Sequence, residues 1–278
     1  MISVQLLAKA DRFRTLHKES NTFILPNAWD VISAKMFEEC GCKAIGTTSA
    51  GIAMSLGYPD GQEIPFETML SVIKNMVESV DVPVSADIES GYGKSAKEVL
   101  HTIEQVISAG VVGINLEDGT GDINSPIYNP VLQQEKISTI REYCDSIGFP
   151  LFINARTDIF WLNVGKPESR IDEAIHRVKL YEEAGADCVF VPALKNIDEI
   201  KKLRNAVNCP INLLAVPGLP SIEELSEIGI ERVSTGSSPF RASVSLLKLI
   251  GDEIVNQRTF SKMTEDVLSY GEVSSLVK

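Results

Sequence analysis

Four segments of this chain leave a helix and enter a strand in nearly the same way: "ECGCKAIG", "SAGVVGIN", "EAGADCVF" and "EIGIERVS". In each, a glycine follows the helical stretch, where a helix C-cap favours it, and a short apolar run comes next. The recurrence marks one βα unit used repeatedly. Strands are expected at 22–26, 43–48, 82–89, 112–117, 150–156, 187–192, 210–216 and 232–236, eight in all. Amphipathic helices such as 95–110 and 170–185 lie between most of them. The strands alternate little between apolar and polar, as parallel strands covered on both faces do. Eight such units in roughly 250 residues fit a (β/α)8 TIM barrel, with an open doubly wound sheet as the structural rival. No Pro/Ser-rich linker divides the chain, so residues 1–278 read as one barrel domain with a helical C-terminal extension from about 240 to 278.

Composition narrows the function classes. The net charge of −12 argues against a nucleic-acid partner, which needs clustered Lys and Arg. No apolar run approaches the ~18 residues of a membrane helix, so no membrane partner is expected. The first twenty residues read as a charged amphipathic helix rather than a secretion signal, and a cytoplasmic protein is expected. The five cysteines form no CxxC pair and read as free thiols. Cys40 and Cys42 read as a helix end running through Gly41 into a strand. His17, His101 and His176 fall on predicted helices and read as surface residues.

In a barrel the chemistry sits at the C-terminal ends of the strands. There this chain places Asp60, then Asp87 and Glu89, then Glu117 and Asp118, then Arg156 and Asp158, and finally Arg241. Asp87 and Glu89 close the run "PVSADIE", and residues i and i+2 of a strand point the same way. Two carboxylates facing one spot favour a shared proton or a bound cation. The further acids at neighbouring strand ends favour the cation. Oxygen donors suit a hard ion, Mg2+ with Mn2+ as the alternative, and disfavour zinc. Arg156 offers a planar fork for a substrate carboxylate, or a structural ion pair with one of the acids. "GYGKSA" (91–96) nearly matches a dinucleotide fingerprint. It begins at the third strand, however, and follows two acids that would face a pyrophosphate.

The combination "LPNAWD", "ADIESGYG", "INLEDG", "NARTD" and "FRASV" resembles the phosphoenolpyruvate mutase/isocitrate lyase superfamily, from about residue 10 to 255. The resemblance implies a barrel whose last helix is swapped with a partner, giving homodimers or homotetramers. It implies Mg2+ at Asp87, with Glu89, Glu117 and Asp60 holding its waters, and a small 2-oxo or 2-hydroxy carboxylic acid as substrate. Thr47, Thr48, Ser49, Ala50 and Gly51 would supply backbone N–H groups and a hydroxyl to that acid. Trp29 joins this binding set, and Arg156 would grip the carboxylate.

Departures from the family pattern select among members. Isocitrate and methylisocitrate lyases carry a catalytic Cys in a "KKCGH"-like loop after the fourth strand. Here the loop is "EDGTGDINSPIYN" (117–129), without Cys, Lys or His. The phosphonate enzymes place a Lys before an Asn-Ser pair. This loop keeps Asn124-Ser125 without the Lys, and its Gly119 and Gly121 fit a mobile lid or, equally, an ordinary surface loop. The leading expectation is a Mg2+-dependent lyase that cleaves a C–C bond of a small di- or tricarboxylic acid through an enolate-like species. Asn124 and Ser125 would close over the substrate, with Asp60 and Tyr92 as candidate proton-transfer groups. A phosphonopyruvate hydrolase or phosphoenolpyruvate mutase is the alternative, and a non-catalytic 2-oxo acid binder the third reading.

Overall fold

The computed structural model describes residues 2–19 and 21–277. Each expected strand is present, but the first is broken into β1 (Phe23–Leu25) and β2 (Asn27–Ala28). The rest are β3 (Ile45–Thr47), β4 (Val84–Asp87), β5 (Gly113–Glu117), β6 (Phe152–Arg156), β7 (Cys188–Phe190), β8 (Ile211–Leu214) and β9 (Arg232–Ser234). The pairings between them are parallel, in the order β1-β9-β8-β7-β6-β5-β4-β3-β2. The two halves of the broken strand therefore occupy the two ends of the sheet, and the chain itself closes it into a barrel. The open-sheet rival is excluded.

Pro26 sits at the break and has no N–H for the ladder. The Asn27 side chain takes over there. Its Nδ2 donates to the Thr47 carbonyl (2.8 Å), and its Oδ1 accepts from the Thr235 and Gly236 N–H groups (2.9 and 2.8 Å). One amide thus stitches the end of β9 to β3. A Cβ on Gly46 would lie 2.6 Å from that Nδ2, so the stitch requires glycine.

Helices α1 (Val4–Leu16), α2 (Val31–Glu39), α3 (Ser49–Ser55), α4 (Phe66–Ser79), α5 (Ala96–Ser108) and α6 (Pro130–Ser146) come first along the chain. They are followed by α7 (Pro167–Glu183), α8 (Ile197–Arg204) and α9 (Ile222–Ile228). α5 shows how the sequence sets such an element. Ser95 and Glu98 form a capping box, and Val99, Ile103 and Val106 recur at helical spacing on its buried face. Beyond Ser237 the chain is helical: α10 (Ser238–Asp252), a π-turn at Glu253–Gln257, α11 (Ser261–Thr264) and α12 (Tyr270–Ser275). Among the described residues no helix is long and apolar enough to cross a membrane.

α1 plugs the N-terminal end of the barrel. Phe13 packs edge-on against Phe23 and Phe152, the first residues of β1 and β6. His17 corrects one expectation: it is buried, stacked on Phe152 at 4.2 Å between ring centres, and not a surface residue. His101 and His176 are exposed, as expected. Burial, reinforced by Arg232, holds the His17 pKa well below its ordinary value. The ring is therefore neutral. Nδ1 donates to the Phe13 carbonyl (2.9 Å), which leaves Nε2 as the acceptor for Arg232 (3.2 Å).

Candidate active site

A cavity of about 500 Å3 opens at the C-terminal ends of the strands and reaches down into the barrel. Six acids line it (Asp60, Asp87, Glu89, Glu117, Asp122 and Asp158) against two arginines, Arg156 and Arg232.

Asp87 ends β4, but Glu89 does not continue the strand. Its φ is +52°, as is that of Tyr92, so the chain turns through left-handed backbone at two non-glycine residues. The expected i, i+2 alignment is corrected: Glu89 reaches the cavity from the turn. Such backbone costs about 1 kcal/mol or more per residue and persists only where the surroundings fix it. Gln62 accepts from the Tyr92 N–H (2.8 Å) and donates to the Ser90 hydroxyl (2.7 Å). The buried Lys136 ammonium donates to the carbonyls of Ser90 and Gly93 (3.0 and 3.1 Å). The Tyr92 hydroxyl then donates to Glu89 Oε1 (3.1 Å).

Asp87 is held by neutral donors. Its Oδ2 accepts from the Ser49 N–H (3.1 Å) and hydroxyl (2.7 Å), and its Oδ1 from Asn115 Nδ2 (2.9 Å). Asn115 in turn accepts from Asn154 Nδ2 (2.8 Å), so amides from β5 and β6 brace the carboxylate.

Arg156 makes the opposite kind of contact. Its Nη1 lies 2.8 Å from Glu117 Oε2 and its Nε 2.6 Å from Asp158 Oδ1. Burial opposes the guanidinium charge, but Asp158 and Glu117 outweigh it and raise the pKa. Asp118, beside Glu117, is fully buried and turned away from the cavity. It accepts from Thr157 Oγ1 (2.8 Å), the Asp158 N–H (2.8 Å), Arg177 Nη1 (3.1 Å) and the Tyr181 hydroxyl (2.7 Å). That hub ties the end of β6 to α7 and fixes where Asp158 stands.

The acids repel one another. Burial, then Asp87 and Asp60, push Glu89 up to about 7. Burial likewise pushes Asp158 up to about 6 and Glu117 well above its ordinary range, against the pull of Arg156. Asp60, exposed at the rim, is raised by desolvation of its carboxyl and by Asp87. The sign of the linkage follows. Because Glu89 is raised in the folded state, its contribution to stability is full below pH 4.5 and lost as pH rises to about 7. Without metal, wild type is expected to lose up to about 3 kcal/mol more than Glu89→Gln over that window. Urea midpoints of both proteins at pH 4.5 and 8 check this; equal slopes would contradict it.

The structure brings Thr47, Thr48, Ser49, Ala50, Asp60, Asp87, Glu89, Glu117 and Arg156 together on the cavity wall. Five other candidates stand elsewhere. Gly51 is inside α3, its N–H bonded to Thr48 Oγ1. Trp29 packs edge-on against Phe240 of α10. Tyr92 lies behind Glu89. Asn124 and Ser125 occupy the exposed tip of a hairpin closed by a Gly119–Ile127 bridge, whose Asp122, Ile123 and Pro126 line the cavity instead. Asn27, Asn115, Asn154, Asn212 and Arg232 also line it and did not stand out in the sequence reading. For Asn115, Asn154 and Asn212 the signal was a polar residue inside an otherwise apolar strand, in "VGINLE", "PLFINAR" and "PINLLAV".

Six acids against two arginines leave this cavity with excess negative charge, which fits a hard divalent cation. Among the described residues no three His, Cys, Asp or Glu side chains close into a preformed metal cage. A Mg2+ site does not require one, because one or two carboxylates with waters suffice.

The comparisons with known proteins agree with this geometry. The family model for phosphoenolpyruvate phosphomutase matches residues 13–255. An uncharacterized protein of Mycobacterium tuberculosis is 37% identical over 84% of this chain and 84% of its own length. 2,3-Dimethylmalate lyase of Eubacterium barkeri is 31% identical over 71% of this chain and 68% of its own. Among solved structures, a candidate lyase/mutase from Burkholderia cenocepacia superposes with a TM-score of 0.92 at 33% identity, covering 98% of this chain and 96% of that one. Phosphonopyruvate hydrolase, crystallised with oxalate and Mg2+, shares the fold with a TM-score of 0.83 at 23% identity, covering 96% and 94%. The chain belongs to the phosphoenolpyruvate mutase/isocitrate lyase superfamily of carbon–carbon lyases and phosphonate-processing enzymes.

Proposed function

We propose that this protein is a Mg2+-dependent lyase that cleaves a C–C bond, by retro-aldol reaction or decarboxylation, in a small 2-oxo or 2-hydroxy di- or tricarboxylic acid. The observation that carries this reading is the acid cluster of Asp87, Glu89 and Glu117 on the cavity wall beside Arg156, next to a loop without Lys, Cys or His. Asp87 would hold the ion, with Glu89, Glu117 and Asp60 holding its waters. When bound, Mg2+ supplies chelation of the substrate carboxylate and the adjacent oxygen, and positive charge where an enolate-like oxyanion develops. Ser49 presents an N–H and a hydroxyl on the same wall, both now donated to Asp87, and Arg156 orients the carboxylate. Asp60 at the rim and the Tyr92 hydroxyl, which donates to Glu89 Oε1 (3.1 Å), are the groups placed to carry a proton. For Asn124 and Ser125 to touch a ligand, the 119–127 hairpin must fold inward.

α10 has no buried residue and exposes Val244, Leu246, Leu247 (65% exposed) and Leu249. That face supports a homodimer or homotetramer in which α10 packs on a second copy; light scattering that returned a monomer would contradict it.

Incubation with Mg2+ and oxaloacetate, 2,3-dimethylmalate, 2-methylisocitrate or phosphonopyruvate tests the assignment. C–C cleavage of a carboxylic acid, dependent on Mg2+, is expected. Phosphate release from phosphonopyruvate, or its isomerisation to phosphoenolpyruvate, with no C–C cleavage would instead assign the hydrolase or the mutase reading respectively. Metal-independent binding without turnover would assign a binder.

A further inference from the structure

The two arginines of the cavity are not equivalent. Arg156 is neutralised by Glu117 and Asp158. Arg232, the first residue of β9, is only 2% exposed and pairs with no acid among the described residues. Its Nη1 meets the neutral His17 ring at 3.2 Å, its guanidinium lies over the Phe152 ring at 6.0 Å, and its Nε has no partner. A guanidinium remains charged when buried, and an uncompensated buried charge is strongly unfavourable. A bridging water would satisfy Nε but would not neutralise the charge.

The same cavity that reaches Asp87 at its mouth reaches Arg232 within the barrel. Arg156, Phe190, Asn212 and Arg232 form one row of register partners across β6, β7, β8 and β9. Asn212 donates its Nδ2 to the Ser234 hydroxyl (3.0 Å), which fixes the amide next to Arg232. The acids of the mouth repel a free carboxylate, whereas Arg232 has a whole positive charge to offer and a planar fork that matches one.

We infer that Arg232 forms the inner, anion-accepting subsite of the cavity and takes the second carboxylate of a dicarboxylate ligand. This rests on the proposed function, in which the 2-oxo or 2-hydroxy end is held at the Asp87 end. Arg232 is then a specificity determinant that separates dicarboxylates from monocarboxylates sharing the same head group.

Calorimetric titration with Mg2+ tests it on two matched pairs, 2-oxoglutarate against 2-oxopentanoate and malate against 2-hydroxybutanoate. In at least one pair the dicarboxylate binds wild type about 10- to 100-fold more tightly, the range of a charge-assisted contact. Arg232→Met removes that advantage and leaves the monocarboxylate unchanged, while Arg232→Lys keeps part of it. Replacing an uncompensated buried charge with an apolar side chain of similar size is tolerated, and melting curves of both variants control for folding. Equal binding within both pairs by wild type, or equal weakening of both members by Arg232→Met, overturns the subsite. So does binding of none of the four acids together with a melting temperature unmoved by high malonate. Failure of the metal reading gives a different pattern: Asp87→Asn leaves binding of both members unchanged, and the dicarboxylate advantage still follows Arg232.

Discussion

Asp87→Asn is expected to lower Mg2+-dependent turnover on the order of 10³-fold while the protein melts within a few degrees of wild type. The two halves of this result have different causes. Asp87 is the carboxylate on which the amide brace and Ser49 converge, so its loss removes the anchoring charge of the site. An asparagine there still accepts one of those bonds, and a lost hydrogen bond costs about 1–2 kcal/mol. Against that, removing the Asp87 charge relieves Glu89, Asp60, Glu117 and Asp158, all of which it pushes upward. Stability above pH 7 therefore changes little. Steady-state rates paired with melting curves check both halves. A variant that retains turnover, or one that simply unfolds, would contradict this account of the residue.

Arg156→Met is expected to fail in the other way, losing activity and stability together. Asp158 is almost wholly buried and Glu117 nearly so, and Arg156 is the cation both of them touch. Breaking such a pair by removing one partner typically costs about 3–5 kcal/mol, because buried charge is left uncompensated. The sign with pH is fixed. Without Arg156 both carboxyls rise further, so the loss is largest at pH 8 and shrinks toward pH 5 as they protonate. Urea titrations at the two pH values measure it. A loss independent of pH would show that the ion pairs are not its source.

Much of this architecture was legible because it depends on local signals. Apolar runs bounded by glycine caps located the strands, and acids at their ends marked the face that carries the cavity. What escaped depended on distant partners. The break at Pro26 is bridged by Asn27, whose partners Thr47 and Thr235 lie far along the chain. The alternation in "SADIE" runs smoothly into Glu89, yet the chain turns before it. Gln62 and Lys136, distant in sequence, hold that turn. The outward direction of Asn124 and Ser125 depends on the Gly119–Ile127 bridge, which no periodicity announces. Arg232 begins a short strand, and its burial depends on the α1 plug, whose His17 lies 215 residues away in sequence.

The site is held to be one in which excess carboxylate charge recruits a divalent ion and, through it, a small carboxylic acid. Calorimetric titration of wild type with oxalate, with and without Mg2+, tests that most directly. Oxalate is expected to bind only when Mg2+ is present, and more tightly at pH 8 than at pH 5.5 as Glu89 gives up its proton. Equal affinity for oxalate with and without Mg2+ would contradict the metal-centred site.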